Sequence, residues 1–334
     1  MSRNVLRVVI AGAGAMARKH AQAYRQLPGA EVTAVCNRDE ARARAFCKEF
    51  SVPASYRDVA QAIAREVPDI VSVCVPTALH PEISRYAMEH GAHVVTEKPI
   101  ALTVEEAEQM IAASQAHGKK LTVIFNRRFN TVWNELGRRI GSVGSPVIYN
   151  TQEIRSIRPK PAMHSASANG GPVIDCCVHD FDMLISLWGM PRSVFASGTV
   201  FARGKSALSH INDFAVDTAH IDVEFDGGNR AYLLYAWGFP QGPEYWQYRE
   251  FMGPDGIVRL LGEFGEEVEH YRKDGVRERV TGLVDNGHET IIAGFVDAVQ
   301  KGGDVPVRPE DALSALRVSL AALRSITSGR RESV

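Results

Sequence analysis

The sequence is poor in cysteine, lacks long apolar runs and carries almost no excess charge. Its 38 Lys and Arg balance 39 Asp and Glu, and a net charge of −1 leaves no field to hold nucleic acid or an acidic membrane. No stretch approaches the roughly 18 apolar residues of a membrane span. None of the five cysteines forms a C-x-x-C pair, and vicinal Cys176 and Cys177 are poorly placed to bridge each other, which is typical of a reduced cytosol.

The N-terminal segment MSRNVLRVVIAGAGAMARKH superficially resembles a signal peptide, because Arg3 precedes an apolar stretch. Arg7 interrupts that stretch, and the small residues behind it follow a different pattern. We therefore expect no cleaved signal and a cytoplasmic protein.

Two domains are expected, because one hydrophobic core normally stops growing before 334 residues. The first part of the chain alternates amphipathic helical stretches with nearly continuous apolar runs, which are typical of strands covered on both faces. This alternation predicts βαβ units and an α/β domain with a parallel Rossmann sheet over residues 1–125. The apolar runs lie at 6–11, 31–36, 69–75, 92–96 and 120–125.

The pattern changes after residue 125. Longer segments alternate polar with apolar residues and are joined by turn residues such as Asp226-Gly227-Gly228, which predicts a mostly antiparallel sheet. Two helices are predicted, at roughly 173–188 and 287–326, the second broken at the GGD and PVRP turns. Residues 126–334 are thus predicted to form a second domain of the α+β class.

A glycine-rich turn follows the first predicted strand. Gly12, Gly14 and Ala17 form G-x-G-x-x-A, in which Gly12 makes the tight turn, Gly14 admits a pyrophosphate and Ala17 lets the helix pack closely. The strand before it and the helix after it are the context that supports a dinucleotide site. Ala15 and Met16, inside the motif, are candidate cofactor contacts.

The second predicted strand ends at Asn37 and Arg38, where an Asp or Glu would bind the ribose of NAD. Asn37 removes the carboxylate that would repel a 2′-phosphate, and Arg38 could pair with that phosphate, so NADP is favoured over NAD. The alternative is that Arg38 is solvated and Asn37 bonds both ribose hydroxyls.

Candidate contacts also follow the third and fourth predicted strands, because open α/β sheets bind ligands at the carboxyl edge. Lys98 in Thr96-Glu97-Lys98-Pro99 is placed to hold a substrate hydroxyl and lower its pKa. Further candidate contacts to the cofactor are Pro76, Thr77, His80, Glu97 and Lys98 itself.

A narrow polar stripe crosses the apolar segment 173–188. Asp175, His179, Asp182 and Ser186 fall within about 40° of one another on a helix, and buried polar groups of this kind are costly unless paired or used. One interpretation is acid/base chemistry, with Asp175 orienting the His179 ring.

Two other interpretations stay open for this stripe. Asp175, His179 and Asp182 share a face and could ligate a metal, although no fourth ligand suggests itself, so no metal is expected. The stripe could also be a purely structural network. Asp180 points to another face and is better suited to a salt bridge or a cap.

The combination of GAGAMA, EKP at 97–99, NRRF at 126–129 and GGPVIDCCVHDFDMLISLWG resembles the glucose–fructose oxidoreductase, inositol dehydrogenase and rhizopine-catabolism (Gfo/Idh/MocA) family over nearly the whole chain. The resemblance implies that residues 126–334 form an α+β domain with a large open sheet, which binds substrate and makes the subunit contact. It also implies that Lys98, Asp175 and His179 are the catalytic residues and that Asp182 lies near the substrate. Asn37 departs from the usual NAD-type acid, and the loop at 155–169 matches no known specificity.

The leading hypothesis is an NAD(P)-dependent oxidoreductase that transfers a hydride between nicotinamide and a secondary alcohol or ketone carbon of a cyclic polyol or sugar. The alternatives are an NADPH-dependent sugar or imine reductase and, in another class, a non-catalytic cofactor-sensing regulator. We expect a homodimer or homotetramer. The expected substrate contacts are Lys98, Asn126, Arg127, His164, His179 and Asp182.

Overall fold

The computed structural model describes residues 5–158, 160–240, 246–261 and 266–334. The chain forms two compact units, the first from residues up to Asn126 with Asn286–Leu313, the second from Arg127–Asp285 with Ser314–Val334.

The first unit contains a six-stranded parallel sheet in the order β3-β2-β1-β4-β5-β6. Strands β2 and β3 are added on one side of β1 and strands β4 to β6 on the other, so the strand order reverses between β1 and β4. Strands such as β4 are buried along their whole length, as expected of a sheet covered on both faces. Its elements are β1 (Leu6–Ala11), α1 (Ala15–Arg25), β2 (Ala30–Cys36), α2 (Glu40–Phe50), β3 (Ala54–Tyr56), α3 (Val59–Glu66), β4 (Ile70–Val73), α4 (His80–Glu89), β5 (His93–Glu97), α5 (Val104–Ala116) and β6 (Leu121–Ile124).

The five predicted strands of this unit are all present, and the predicted Rossmann class is confirmed. Helix α5 begins with a capping box in which the Thr103 side chain accepts the Glu106 N–H, while the Glu106 carboxylate accepts the Thr103 N–H. The short edge strand β3 was not predicted, because three residues carry too little periodicity to be detected.

The second unit contains a nine-stranded sheet in the order β14-β13-β12-β11-β7-β10-β9-β8-β15. Only β7 and β10 pair in parallel among its described strands, which confirms the predicted mostly antiparallel sheet. Its elements before the C-terminal helices are α6 (Thr131–Ile140), β7 (Ile148–Ser156), α7 (Gly171–Asp175), α8 (Cys177–Trp188), β8 (Ser193–Thr199), β9 (Thr218–Glu224), β10 (Arg230–Phe239), β11 (Trp246–Gly253), β12 (Gly256–Leu261), β13 (Glu267–Arg272) and β14 (Arg277–Val280).

Two features of this unit correct the prediction. Helix α6 was not predicted, although the sequence carries two signals for it. The Asn130 side chain caps the helix by accepting the Trp133 N–H, and the buried residues Val132, Leu136 and Ile140 recur every four positions. The single helix predicted at 173–188 is divided into α7 and α8 at Cys176, because the His179 N–H bonds the Cys176 carbonyl three residues back, at 3.0 Å.

The predicted C-terminal helices are present as α9 (Gly287–Lys301) and α10 (Pro309–Ser328), and β15 (Glu332–Ser333) pairs with β8. The sequence-based division left residues 286–313 in the second domain, whereas the structure groups them with the first unit. Helix α9 packs on α1, the Gln300 side chain donates to the Gly29 carbonyl, and the Thr122 hydroxyl donates to the Val307 carbonyl. Periodicity gives no information about such contacts between distant segments.

Candidate active site

The glycine turn lies at the carboxyl edge of the parallel sheet. Gly12 has a φ of +111°, and a Cβ on it would lie 2.3 Å from the Cys74 carbonyl oxygen, so only glycine fits. The Gly12 N–H donates to the Cys36 carbonyl at 2.7 Å. Gly14, at the N-terminus of α1, has no side chain to cap the helix, and the first turn of α1 contains no acidic residue. The free backbone N–H groups of this first turn therefore suit a pyrophosphate.

The first turn of α1 separates exposed from buried side chains. Ala15 and Met16 are exposed, whereas Ala17 is fully buried, which lets α1 lie close to the sheet. The turn therefore has the close backbone approach, the open helix end and the small packing residue that a dinucleotide needs.

The end of β2 is organised by an Asx turn. The Asn37 side-chain oxygen accepts the Asp39 N–H at 2.9 Å, and the Asp39 carboxylate caps α2 by accepting the Arg42 N–H at 3.0 Å. The Asn37 amide nitrogen is therefore left as the donor toward a ligand. Arg38 is exposed beside it.

Lys98 follows β5 directly and is half-buried. Strand β5 is separated from β1 only by β4, so Lys98 leaves the sheet two strands from the glycine turn, or about 10 Å along the same edge.

Glu97 lies at the centre of a buried polar chain that the sequence did not predict. The Tyr24 hydroxyl meets the Ser72 hydroxyl at 3.0 Å, Ser72 meets Nδ1 of His20 at 3.1 Å, and Nε2 of His20 meets Glu97 at 3.1 Å. His288 approaches the same carboxylate oxygen at 3.4 Å. A neutral His20 ring satisfies every link, with Nε2–H donating to Glu97 and Nδ1 accepting from Ser72.

The electrostatics of this chain agree with that proton arrangement. Burial lowers the pKa of His20, and Glu97 opposes this only in part. Burial alone raises the pKa of Glu97, but hydrogen bonds from His20 and His288 outweigh it and hold the pKa well below its ordinary value. The order Ser72, His20, Glu97 is that of a hydrolase triad, yet Ser72 and His20 are fully buried, so no substrate reaches the hydroxyl.

His80 joins the turns that follow β4 and β5. Its two ring nitrogens meet the Pro99 carbonyl at 2.9 Å and the Val75 carbonyl at 3.0 Å. Thr77 is buried beside it, and Pro76 is exposed. Both His80 and Glu97 thus have structural contacts of their own, and a cofactor contact for either residue stays a prediction.

Asp175 ends α7 and His179 lies in the first turn of α8, each about 8% exposed. Cys176 directly follows Asp175, and its Sγ atom lies 3.9 Å from the Asp175 carboxylate and 3.5 Å from the Glu153 carboxylate. The two predicted catalytic residues of this unit are therefore nearly buried, and Asp175 lies beside the Cys176 thiol.

Asp180, a fully buried residue of α8, is the centre of an ionic cluster. The hydroxyl groups of Tyr149, at 2.7 Å, and Tyr235 donate to its carboxylate. Arg127 donates to it at 3.2 Å, and Nε of Arg249 lies 3.6 Å away. These contacts agree with the salt-bridge role that was predicted for Asp180.

Glu153 is the second carboxylate of this cluster. It accepts from Arg249 at 3.0 Å and from Arg155 at 2.8 Å. Burial raises its pKa, but the three guanidinium groups of Arg155, Arg249 and Arg127 outweigh that effect and hold it at about 2. A sequence signal for this residue exists, since Glu153 is in phase with the buried Tyr149 and Thr151 on β7.

Asp182 and Ser186 complete the predicted stripe. The Arg128 guanidinium holds Asp182 through two hydrogen bonds, one of them 2.6 Å long, and the Ser186 hydroxyl donates to the Met183 carbonyl. Arg128 and Asp182 also line a pocket of about 320 Å³ between α6 and α8. The rest of that pocket is mainly apolar and includes Phe129, Trp133, Leu136, Ile140, Met183 and Leu187.

The remaining predicted substrate contacts are dispersed. Asn126 belongs to the first unit, where its carbonyl lies so close to Gly287 that a Cβ there would clash. Arg127 is committed to the ionic cluster, and His164 is buried in the loop after β7. A substrate contact for any of them stays a prediction.

Across the described ranges, no group of three or more metal-ligating side chains is placed to hold a metal ion. The same part of the chain contains no helix that is long and apolar enough to cross a membrane.

Comparison with known proteins assigns both parts of the chain to one family. Residues 6–125 match the oxidoreductase family's NAD-binding Rossmann fold, and residues 139–334 match its C-terminal alpha/beta domain. Myo-inositol 2-dehydrogenase of Thermotoga maritima is 26% identical over 97% of each chain. D-glucoside 3-dehydrogenase of Escherichia coli is 31% identical over 57% of this chain and 56% of its own. An oxidoreductase domain protein from Kribbella flavida shares the fold, with a TM-score of 0.86 at 21% identity over 99% of this chain and all of its own.

Proposed function

Because this chain belongs to the Gfo/Idh/MocA oxidoreductase family and is an NAD-binding oxidoreductase, we propose that it oxidises a secondary alcohol of a cyclic polyol or sugar, or reduces the matching ketone. The observation that carries the proposal is Lys98, which leaves β5 two strands from the glycine turn at the ligand-binding edge of the sheet. The inositol and glucoside dehydrogenases named above support the substrate class.

The chain's own residues hold and move the protons. Lys98 steadies the developing alkoxide, His179 accepts the hydroxyl proton, and Asp175 orients His179. The nicotinamide, when bound, supplies only the hydride acceptor. The buried carboxylates Glu97 and Asp180, adjacent in sequence to Lys98 and His179, fix the backbone from which those side chains extend.

A turnover screen tests this proposal. Purified protein is mixed with NAD⁺ or NADP⁺ and a panel of inositols and aldoses, and nicotinamide absorbance is followed. Lys98→Ala and His179→Ala should each lower kcat by about 10² to 10⁴ and leave cofactor affinity within about tenfold. Asp175→Asn should lower kcat less and shift its pH profile.

Exposed residues of the same types provide matched controls. Lys301→Ala and His210→Ala should leave kcat within about twofold, since both side chains lie at the surface. Near-normal kcat in His179→Ala would reject His179 as the base. A complete lack of turnover with tight cofactor binding would favour the non-catalytic sensor.

For the choice of cofactor, we propose a preference for NADP. Asn37 presents an amide donor in place of a repelling carboxylate, and the exposed Arg38 is free to bond a 2′-phosphate through two donors. Arg38→Ala should weaken NADP binding by at least about tenfold and leave NAD binding nearly unchanged, whereas Asn37→Asp should favour NAD. Dissociation constants for both cofactors decide the point, and equal losses would remove Arg38 from recognition of the phosphate.

We also propose a symmetric homodimer or homotetramer formed through the large sheet. One face of this sheet carries apolar side chains that are only partly buried, among them Ile148, Phe195, Leu234, Met252 and Ile257. An apolar face of this kind is commonly buried against a second copy. Light scattering at micromolar concentration should give at least twice the monomer mass of 36.6 kDa, and a pure monomer would refute the assembly.

A further inference from the structure

The loop that follows β7 is basic and lies at one end of the large sheet. Residues 154–174 contain Arg155, Arg158 and Lys160 but no Asp or Glu. Strands β7 and β10 are parallel, so this loop and the end of β10 meet at one edge of the sheet. Helix α7, which carries Asp175, packs against β10.

His164 places an unused donor at this edge. Its Nε2 accepts the Arg158 backbone N–H at 3.0 Å, so the ring proton of the neutral form is on Nδ1. Burial lowers the pKa of His164, which keeps the ring neutral at pH 7. His164 is 1% exposed, and its Nδ1 has no hydrogen-bond partner within the described part of the chain.

Trp237, near the end of β10, adds a second unused donor. Its ring is edge-on to His164 with the centroids 6.4 Å apart, and it is also 1% exposed. Its indole N–H has no acceptor among residues 5–158, 160–240, 246–261 and 266–334. Leaving two neighbouring N–H groups buried and unpaired is costly unless an acceptor arrives from outside.

Arg158 brings a positive charge to the same place. Its guanidinium carbon lies 5.4 Å from the Trp237 ring centroid, and no described carboxylate forms an ion pair with it. The nearby Asp217 is already occupied, because it accepts the N–H groups of Phe201 and Ala202 and the Thr218 hydroxyl. Arg155, by contrast, is paired with Glu153.

We propose that Arg158, His164 and Trp237 form a carboxylate-binding site, so that the substrate is an acidic sugar or polyol. This donor cluster offers one cation and two neutral N–H groups and no acceptor. A sugar hydroxyl both donates and accepts, whereas a carboxylate only accepts, so the cluster matches the carboxylate. The inference deepens the proposed function and rests on it, since it names the substrate class of that oxidoreductase.

Matched sugar pairs test the proposal. We expect kcat/KM for D-glucuronate and D-galacturonate to exceed that for D-glucose and D-galactose by at least about tenfold. Arg158→Gln should lower kcat/KM for the acids by at least about tenfold, mainly by raising KM. For the neutral sugars, kcat/KM should change less than about twofold. Arg158→Lys should restore part of the loss, because it keeps the charge but loses the planar fork.

Lys160→Gln is the matched control. It makes the same change of charge at an exposed position on the same loop and should alter KM for the acids less than about threefold. An equal effect of Lys160→Gln and Arg158→Gln would overturn the site, because general attraction would then explain it. A preference for D-glucose 6-phosphate over both acids would also overturn a carboxylate site.

Direct binding separates this inference from the proposed function. Calorimetric titration of the NADPH-loaded protein with D-glucuronate or D-galacturonate should show binding. Arg158→Gln should weaken that binding at least about tenfold, and Trp237→Phe at least about fivefold. Binding that depends on Arg158, with no turnover of any polyol, would reject the oxidoreductase proposal and retain the site. Turnover of neutral polyols without any binding of either acid would reject the site and retain the oxidoreductase.

Discussion

Two buried polar networks, one in each unit, stabilise carboxylates in different ways. In the first unit Glu97 is held by the ring N–H groups of His20 and His288, and the chain continues through neutral hydroxyl groups. In the second unit Asp180 and Glu153 are held by guanidinium groups with two tyrosine hydroxyls. Removing a charge should therefore cost more in the second unit, because buried cations are left behind.

Each network contains a carboxylate that is adjacent in sequence to a proposed catalytic residue. Glu97 directly precedes Lys98, and Asp180 directly follows His179. In each case a fully engaged carboxylate fixes the backbone beside a proposed catalytic residue. A carboxylate adjacent to a catalytic residue in sequence is thus an anchor here, and its side chain points into a separate set of contacts.

The largest expected effect comes from Asp180→Asn. Removing this carboxylate leaves the buried Arg249 and the partly buried Arg127 short of one counter-charge, which should lower the free energy of unfolding by about 3 to 5 kcal/mol. Denaturant titration followed by circular dichroism measures it. Asp297→Asn, which removes an exposed ion pair with Lys301, is the control and should cost less than about 1 kcal/mol.

Glu97→Gln should have a smaller effect, because no guanidinium group of the described residues contacts Glu97 and the His20 ring beside it is neutral. We expect a loss of about 1 to 3 kcal/mol in the same titration, since the neutral amide accepts more weakly from His20 and His288. A loss equal to that of Asp180→Asn would contradict the assignment of a neutral His20 ring.

A pair of tyrosine variants sharpens the contrast further. Tyr235→Phe removes a hydroxyl that donates to the ionised Asp180 and should cost about 1.5 to 3 kcal/mol, whereas Tyr24→Phe removes a link to the neutral Ser72 and should cost about 1 kcal/mol. Thermal denaturation of both variants measures the difference. Equal losses would show that charge on the acceptor does not distinguish the networks.

Acidification should affect the two networks over different pH ranges. The pKa of His20 is lowered from 6.5, so the unfolded chain gains a proton first, and stability falls as pH drops below about 6.5, by at most about 1.4 kcal/mol per pH unit. The pKa of Glu153 is lowered to about 2, so its contribution is intact above pH 4.5 and is lost as pH falls from there toward 2.

The variants His20→Gln and Glu153→Gln separate these ranges. His20→Gln should make the stability profile less steep between pH 7 and 5, without removing the slope, because burial also lowers the pKa of His80 and His93. Glu153→Gln should change the profile only below about pH 4.5. Melting temperatures at intervals of half a pH unit provide the measurement. An unchanged slope in His20→Gln would mean that His20 is not the titrating group.

The strands of the first unit, its glycine turn and the second unit's mostly antiparallel sheet were predictable, because apolar periodicity and turn residues report local geometry directly. The positions of Gly12 and Lys98 just after a strand, and of Gly14 at the start of α1, were predictable for the same reason, whereas their roles stay predictions. The partners His20 and His288 were not, because 268 residues separate them and their contact with Glu97 depends on how α1 and α9 pack.

The amino-acid sequence by itself determined the order of elements, the dinucleotide turn and the polar residues that must be buried on the 173–188 segment. Only the tertiary structure decided what those polar residues do. Asp180, Asp182 and Ser186 lie within seven positions of one another, yet one pairs with Arg127, one with Arg128 and one with its own helix. Hydrogen-bond partners are set by distances between segments remote in sequence, and a buried charge is stable only where folding brings its counter-charge.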